Sequence, residues 1–262
     1  MPDAFDISVL SGLPRIGAAL LLVLLAAGIS RWQHVDLETH MIIAVIRAFI
    51  QLIAIGYALS LVFDSRNPIF IVLILVVMIT VAGFTSGQRG KGIPHARAVA
   101  LISITLGALL TLGLLVALGV FRFTSRDVIP IGGMVIGNSM NTCSLIMARL
   151  RDDIKTQKGL IETALALGAT PRQAIAPHLR RALHAGMTPQ VDSTKTIGLV
   201  QLPGAMTGMI LAGASPLQAV QLQIIVMYML IGAAAYTGLT AAYLTYLQFF
   251  TAHGQLVEAT QP

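Results

Sequence analysis

Charged residues are scarce in this sequence. They make up 11% of its 262 residues, whereas hydrophobic residues make up 56%. Soluble domains carry about 25% charged residues, so this composition indicates a chain whose main solvent is lipid. One spanning helix uses roughly 20 apolar residues, and about seven such helices leave little chain for a catalytic domain. The sequence therefore predicts one all-α integral membrane domain over residues 1–262 and excludes a soluble enzyme.

Cysteine is nearly absent, and nucleotide-binding motifs are missing. The single cysteine, Cys143, rules out an internal disulfide and a multi-cysteine zinc site. No Gly-x-x-x-x-Gly-Lys-Ser/Thr sequence occurs, so we expect no ATP site in this chain. Energy for any transport would come from a partner or from an ion gradient. The six histidines fall in loops or at the ends of apolar runs without metal-ligand spacing. The sequence thus assigns no metal ligands and no cofactor to this chain.

Seven apolar runs are candidate membrane spans. They cover residues 16–29 (extended upstream by 9–13), 41–63, 68–85, 98–120, 128–147, 196–212 and 219–249. Pro203 and several glycines interrupt the sixth run. No basic residue precedes Arg15, which favours a retained first helix over a cleaved secretory signal.

Basic residues predict the orientation of these spans. The net charge is +6, and eight basic residues lie between Arg149 and Lys195. Excess Lys and Arg mark cytoplasmic loops, so this charge needs no nucleic-acid partner. With seven spans, we expect the N-terminus outside and the C-terminus in the cytoplasm.

Three pairs of glycines stand four residues apart within the predicted spans. They are Gly83 and Gly87, Gly133 and Gly137, and Gly204 and Gly208. Small residues at this spacing let helix backbones approach closely in membranes. The pairs predict a compact helical bundle and indicate no particular chemistry.

The long polar segment, about residues 150–195, predicts a helix, a tight turn and a second helix. Asp152 and Asp153 suit a helix start, and good helix formers follow over residues 154–167. Gly168 stands where a glycine in the left-handed conformation ends a helix. The pattern predicts a protruding segment, which either docks a partner or serves only as a solvated connector.

The second helix of this segment begins with a capping-box pattern. Thr170 is followed by Pro171 and, three residues on, by Gln173. Pro177 is expected to limit or kink this helix, which we predict to end near 180–181. The fold class expected from the sequence is therefore all-α, with about seven transmembrane helices and a cytoplasmic helix-turn-helix coupling segment.

The same segment resembles a motif of ABC-transporter permeases. Glu162-Thr163-Ala164, three further residues and Gly168 are similar to that family's Glu-Ala-Ala-x-x-x-Gly coupling motif. Thr163 replaces the first alanine, and the downstream Ile-x-Leu-Pro is not matched. Longer runs at 47–52, 133–138, 167–174 and 189–204 resemble the FetB-type permeases. That family comprises bacterial iron-export permeases and related plant aluminium-tolerance permeases.

This resemblance implies a permease subunit of the bacterial inner membrane that exports iron or another metal. A separate ABC ATPase, which binds ATP and Mg, would dock on the loop at 152–181, and the permease would be a homodimer. The residues that the resemblance places in ATPase coupling are Glu162, Ala164, Leu167, Gly168, Ala169, Pro171 and Arg172.

Four polar residues within the predicted spans are candidates for a translocation pathway. Arg47 and Gln51 are four residues apart, and Asn138 and Asn141 are three apart, so each pair shares a helix face. An intramembrane arginine is costly, at least ~2.5 kcal/mol on insertion scales, unless it snorkels or pairs. The asparagines either line the pathway or form interhelical hydrogen bonds.

Asp192 and Lys195 precede the sixth run and can pair at i, i+3. They are candidates for a gate or coupling element, or simply a charge-matched helix start. A secondary transporter or channel is the alternative function, although ion-driven carriers usually place carboxylates within their spans. An intramembrane enzyme would need a Ser/Lys dyad, paired aspartates or metal ligands there. We see none, and no catalytic residue is predicted.

Overall fold

A computed structural model describes residues 13–34, 36–64, 67–251 and 254–257. The chain divides into two compact units, residues 1–65 and 66–262. The described residues form nine helices and no sheet. In order they are α1 (Leu13–Trp32), α2 (Glu38–Asp64), α3 (Pro68–Arg89), α4 (Ala96–Ala117), α5 (Ser125–Thr156), α6 (Lys158–Ala166), α7 (Pro171–Thr196), α8 (Gly204–Leu211) and α9 (Pro216–Gln248).

The first unit is a pair of packed helices, α1 and α2. Ser30 links them, since its Oγ accepts a hydrogen bond from the Leu37 backbone at 3.2 Å. The same hydroxyl donates to a Glu38 carboxylate oxygen at 3.4 Å. Residues 9–12, which belong to the predicted first span, lie outside the described residues.

The second unit is built around α5, which packs against α3, α4, α7 and α9. Ile146, Met147 and Leu150 of α5 are fully buried. Helices approach closely where one presents a glycine: a Cβ on Gly107 of α4 would overlap Thr237 of α9. Gly83 of α3 lies in the same way against Leu101 of α4. The first of the three predicted glycine pairs therefore does pack helices together.

Four helices of the described residues are long and apolar enough to cross a membrane. The apolar segments are Glu38–Ser60, Pro68–Arg89, Ala96–Ala117 and Pro216–Gln248. They confirm the apolar helices expected at 41–63, 68–85, 98–120 and 219–249. The apolar part of α1, Ile16–Trp32, is shorter. The run at 128–147 lies within α5, a longer and more polar helix, so the count of seven spans remains a prediction.

The predicted sixth run, 196–212, is wrong as one continuous helix. α7 ends at Thr196, residues 197–203 are not helical, and α8 begins only at Gly204. Two residues explain the interruption. Gly198 adopts a positive φ of 80°, which favours glycine, and Pro203 is extended as the N-cap of α8.

Two boundaries of the polar segment also differ from the prediction. No helix starts at Asp152 and Asp153, because α5 continues through them to Thr156 with Ile154 buried. The second helix does not end at 180–181 but continues to Thr196 across Pro177 and Pro189. Buried Ala182 and Gly186 hold α7 against its neighbours, and this packing outweighs the proline penalty.

Candidate coupling site

The α6–α7 hairpin, residues 158–181, consists of α6, a four-residue turn and the first part of α7. Ile161 of α6 and Ile175 of α7 are buried, and the two helices pack together. Gly168 has φ +90°, and the Ala169 N–H donates to the Ala164 carbonyl at 3.0 Å. This is the glycine-terminated helix end that the sequence predicts.

The start of α7 confirms the predicted capping box. The Gln173 N–H donates to Thr170 Oγ1 at 3.3 Å, and the Thr170 N–H donates to Gln173 Oε1 at 2.9 Å. Pro171 occupies the first turn, where its missing N–H removes no helical hydrogen bond. The end of α6 and the start of α7 thus both fix the turn, so the hairpin has a defined conformation.

The turn of the hairpin presents apolar surface outward. Leu167 is 83% exposed, and Leu160 on α6 is 68% exposed. The structure brings all seven predicted coupling residues together here. Glu162, Leu167, Gly168 and Arg172 are exposed, while Ala164, Ala169 and Pro171 are half-buried. Sequence reasoning missed Leu160, although its place seven residues before Leu167, on the same face of the predicted helix, could have suggested it.

A cleft of about 570 Å³ lies between the hairpin and the C-terminal segment. Glu162, Leu165, Ala169 and Pro171 line one side, and residues 254–256 line the other. The C-terminal segment is held because the Val257 N–H donates to the carbonyl of Phe249 at 2.8 Å, and Phe249 is fully buried. No sequence motif connects these distant parts, so only the fold shows that they meet.

A polar cluster joins the base of the hairpin to α5. Asp153 is buried and lies 3.4 Å from Arg149 Nε and 3.6 Å from Arg181 Nε. His178 is also buried, with its Nδ1 3.0 Å from Arg181 Nη2. Burial lowers the pKa of His178, as does the charge of Arg181, while Asp153 opposes the shift. A neutral His178 can accept from Arg181, which completes a link between α5 and α7.

The two asparagine candidates on α5 both have interhelical partners. The Asn138 side-chain amide donates to the Leu230 carbonyl of α9 at 3.0 Å. Asn141 is exposed and accepts from Arg89 of α3 at 3.4 Å. Arg47 and Gln51 belong to the first unit, one turn apart on α2, and both are exposed. Whether these four residues line a pathway stays a prediction.

Asp192 and Lys195 form an ion pair of 3.0 Å, and both side chains are exposed. They lie near the end of α7, not at a helix start. Ser193 ties this end to the non-helical segment, because Gln201 Nε2 donates to Ser193 Oγ at 3.2 Å. Among the described residues, no group of three or more His, Cys, Asp or Glu could hold a metal ion.

The structure defines a helical membrane protein with a structured polar hairpin. The chain belongs to the uncharacterised protein family UPF0014, whose model matches residues 13–250.

Known relatives cover nearly the whole chain. It is 50% identical to Protein ALUMINUM SENSITIVE 3 of Arabidopsis thaliana, over 94% of this chain and 90% of that protein. It is 46% identical to UPF0014 membrane protein STAR2 of Oryza sativa subsp. japonica, over 95% and 88%. It is 38% identical to the probable iron export permease protein FetB of Escherichia coli, over 92% and 93%. These matches confirm the resemblance to FetB-type and plant proteins. No solved structure matches the chain.

Proposed function

We propose that this protein is the membrane-spanning permease subunit of an ABC transporter. A separate cytoplasmic ATPase docks on the α6–α7 hairpin within the loop at 152–181. The observation that carries the proposal is the exposed Leu167 at the tip of a hairpin fixed by Gly168 and the capping box. An exposed leucine on a rigid protrusion suits insertion into a partner's cleft.

The cluster under the hairpin supports transmission of movement. Asp153 and Arg181 connect the hairpin to α5 and α7, and α5 contacts most helices of the second unit. A displacement of the hairpin by the ATPase would therefore act on the centre of the bundle. ATP and Mg would bind only to the partner, since this chain lacks the phosphate-binding motif.

The proposed substrate is iron or another metal, moved outward. The support is the relative FetB of Escherichia coli, which is named a probable iron export permease. The described helices offer no cluster of metal ligands, so the ion would travel weakly bound or chelated. The proposed assembly is a homodimer in the bacterial inner membrane, with N-termini outside and C-termini in the cytoplasm.

A secondary transporter or channel is the alternative. Such carriers usually hold carboxylates in their spans. α3, α4 and α9 contain no Asp or Glu, and Asp192 near the end of α7 is paired with Lys195. Transport of a solute by the purified chain alone, driven by an ion gradient and without an ATPase, would favour this alternative.

Leu167→Arg tests the docking site. Co-expressed with a candidate ATPase encoded beside its gene, this variant should bind the ATPase at least about 30-fold more weakly, the effect of losing an interface hot spot. Leu118→Arg is the matched control, because Leu118 is similarly exposed but follows the opposite end of α4. Unchanged association and stimulated turnover in Leu167→Arg would contradict the proposed docking.

A further inference from the structure

Three residues that contact one another lie at the same depth in the second unit, which we call the middle level. Gly107 of α4 lies against Thr237 of α9, and Thr237 Oγ1 donates to Ser139 Oγ of α5 at 2.9 Å. Gly107 is 11 residues after the start of α4 at Ala96 and 10 before its end at Ala117. Because α4 is about as long as the hydrocarbon core is thick, roughly 30 Å, this level is the middle of the membrane.

α7 reaches that level from one side. It runs antiparallel to α5, since Arg181 contacts Asp153 and Gly186 contacts Ile146. Ile146 is seven residues, about 10 Å, from Ser139 along α5. α7 continues ten residues beyond Gly186, about 15 Å, before it ends at Thr196. The end of α7 therefore lies in the middle third of the membrane.

The following chain must continue to the opposite side. α9 ends at Gln248, whose Oε1 is 3.2 Å from His95 Nδ1 beside the start of α4. α9 begins at Pro216, 21 residues before Thr237, or about 32 Å along the helix on the other side of the middle level. α8 packs against α9. The segment from Gly186 to Pro216 thus crosses the membrane once, as two helices with a break at 197–203.

The break has surface chemistry that lipid does not accept. Its backbone is non-helical, and the polar side chain of Gln201 is exposed. The ion pair of Asp192 and Lys195 is exposed on the adjoining turn. Irregular backbone at membrane depth occurs only where protein covers it or where it lines a water-filled cavity. Intramembrane charges follow the same rule.

We propose that α8 and the part of α7 from Gly186 onward form one broken membrane crossing, whose break at 197–203 lines a water-filled route for the solute. This proposal rests on the proposed permease function. The Asp192–Lys195 ion pair and the hydroxyl and amide groups of Ser193, Thr196 and Gln201 lie on the route, which suits a hydrated ion. A second copy of the chain forms the facing wall. Gly204 and Gly208 of α8 have open space beside them, so a second helix can approach there.

Labelling of single cysteines from water tests the route. In a Cys143→Ala background, Val200→Cys is compared with Leu106→Cys in reconstituted vesicles, using a small charged thiol reagent. Both parent side chains are apolar and exposed, Leu106 to 42%, and Leu106 adjoins the middle level at Gly107. Val200→Cys should react roughly tenfold faster or more, because the reactive thiolate forms in water but not in apolar surroundings.

The labelling rates distinguish a watery break from one that lipid or protein covers. Faster labelling of Val200→Cys, repeated with Gln201→Cys, supports a watery break. Slow labelling of both break variants, equal to Leu106→Cys, overturns the proposal, provided that all cysteines react after unfolding in detergent. Fast labelling of Leu106→Cys as well would overturn the assignment of the middle level. The assay needs no ATPase, so a labelled break without ATPase association would contradict only the proposed function.

Discussion

α4 and α7 both pack against α5 and α9, yet their sequences differ in almost every respect. α4 is predominantly apolar and has no proline or charged residue after Arg97. α7 contains two internal prolines, several basic residues and the Asp192–Lys195 pair. Composition alone therefore identifies α4 as a membrane helix and assigns α7 to a soluble loop.

The difference shows that the surroundings of a helix, not its mean composition, fix its place in the fold. Both helices use a glycine at the point of closest contact: Gly107 of α4 against α9, and Gly186 of α7 against α5. A polar helix can pack within the bundle when one of its faces contacts protein and the other does not contact lipid.

The sharpest test of this equivalence changes the two contact glycines. Gly107→Ala and Gly186→Ala should each destabilise the protein by about 1–3 kcal/mol, because the new methyl group overpacks against Thr237 or Ile146. Gly113→Ala on α4 is the control, since nothing lies within 4 Å of its Cβ position. Thermal unfolding in detergent measures the effect.

The comparison between α4 and α7 would fail on one result. If Gly186→Ala were as well tolerated as Gly113→Ala while Gly107→Ala were destabilised, α7 would not be packed into the bundle as α4 is.

The sequence predicted the helices that are independent of their neighbours. α2, α3, α4 and α9 are recognisable because their apolar runs are long, and the turn at Gly168 is recognisable because its capping chemistry is local. The path of α7 past Arg181 depends on Ile146 and Gly238 of other helices, which no local pattern reports. The approach of residues 254–256 to the hairpin is equally non-local.

A variant at the base of α7 should have a moderate effect on stability. There a polar cluster holds α7 against α5, whereas α4 is held along its length by apolar contacts. Asp153→Ala should destabilise the protein by about 1 kcal/mol, since Arg149 and Arg181 lose their shared partner and both are partly exposed. Asp152→Ala is the control, as its exposed carboxylate pairs with Arg151 of the same helix. Equal unfolding temperatures for the two variants would show that the cluster does not stabilise the packing of α7.

Acidification should produce the smallest effect and should act on α7 more than on α4. The pKa of His178 in the folded protein lies below the ordinary value of 6.5, chiefly through burial and then through Arg181, with Asp153 in opposition. The unfolded chain therefore takes up a proton first as the pH falls below about 6.5, and stability decreases from there towards the lower folded pKa. The stabilisation from neutral His178 is complete above 6.5. His178→Gln should flatten this part of the pH profile of unfolding. His184→Gln, at an exposed position of the same helix, is the control for the loss of an imidazole. If the pH profile of unfolding stays steep in His178→Gln, another group takes up the proton. Protonation of His178 would then not weaken the contact of α7 with α5.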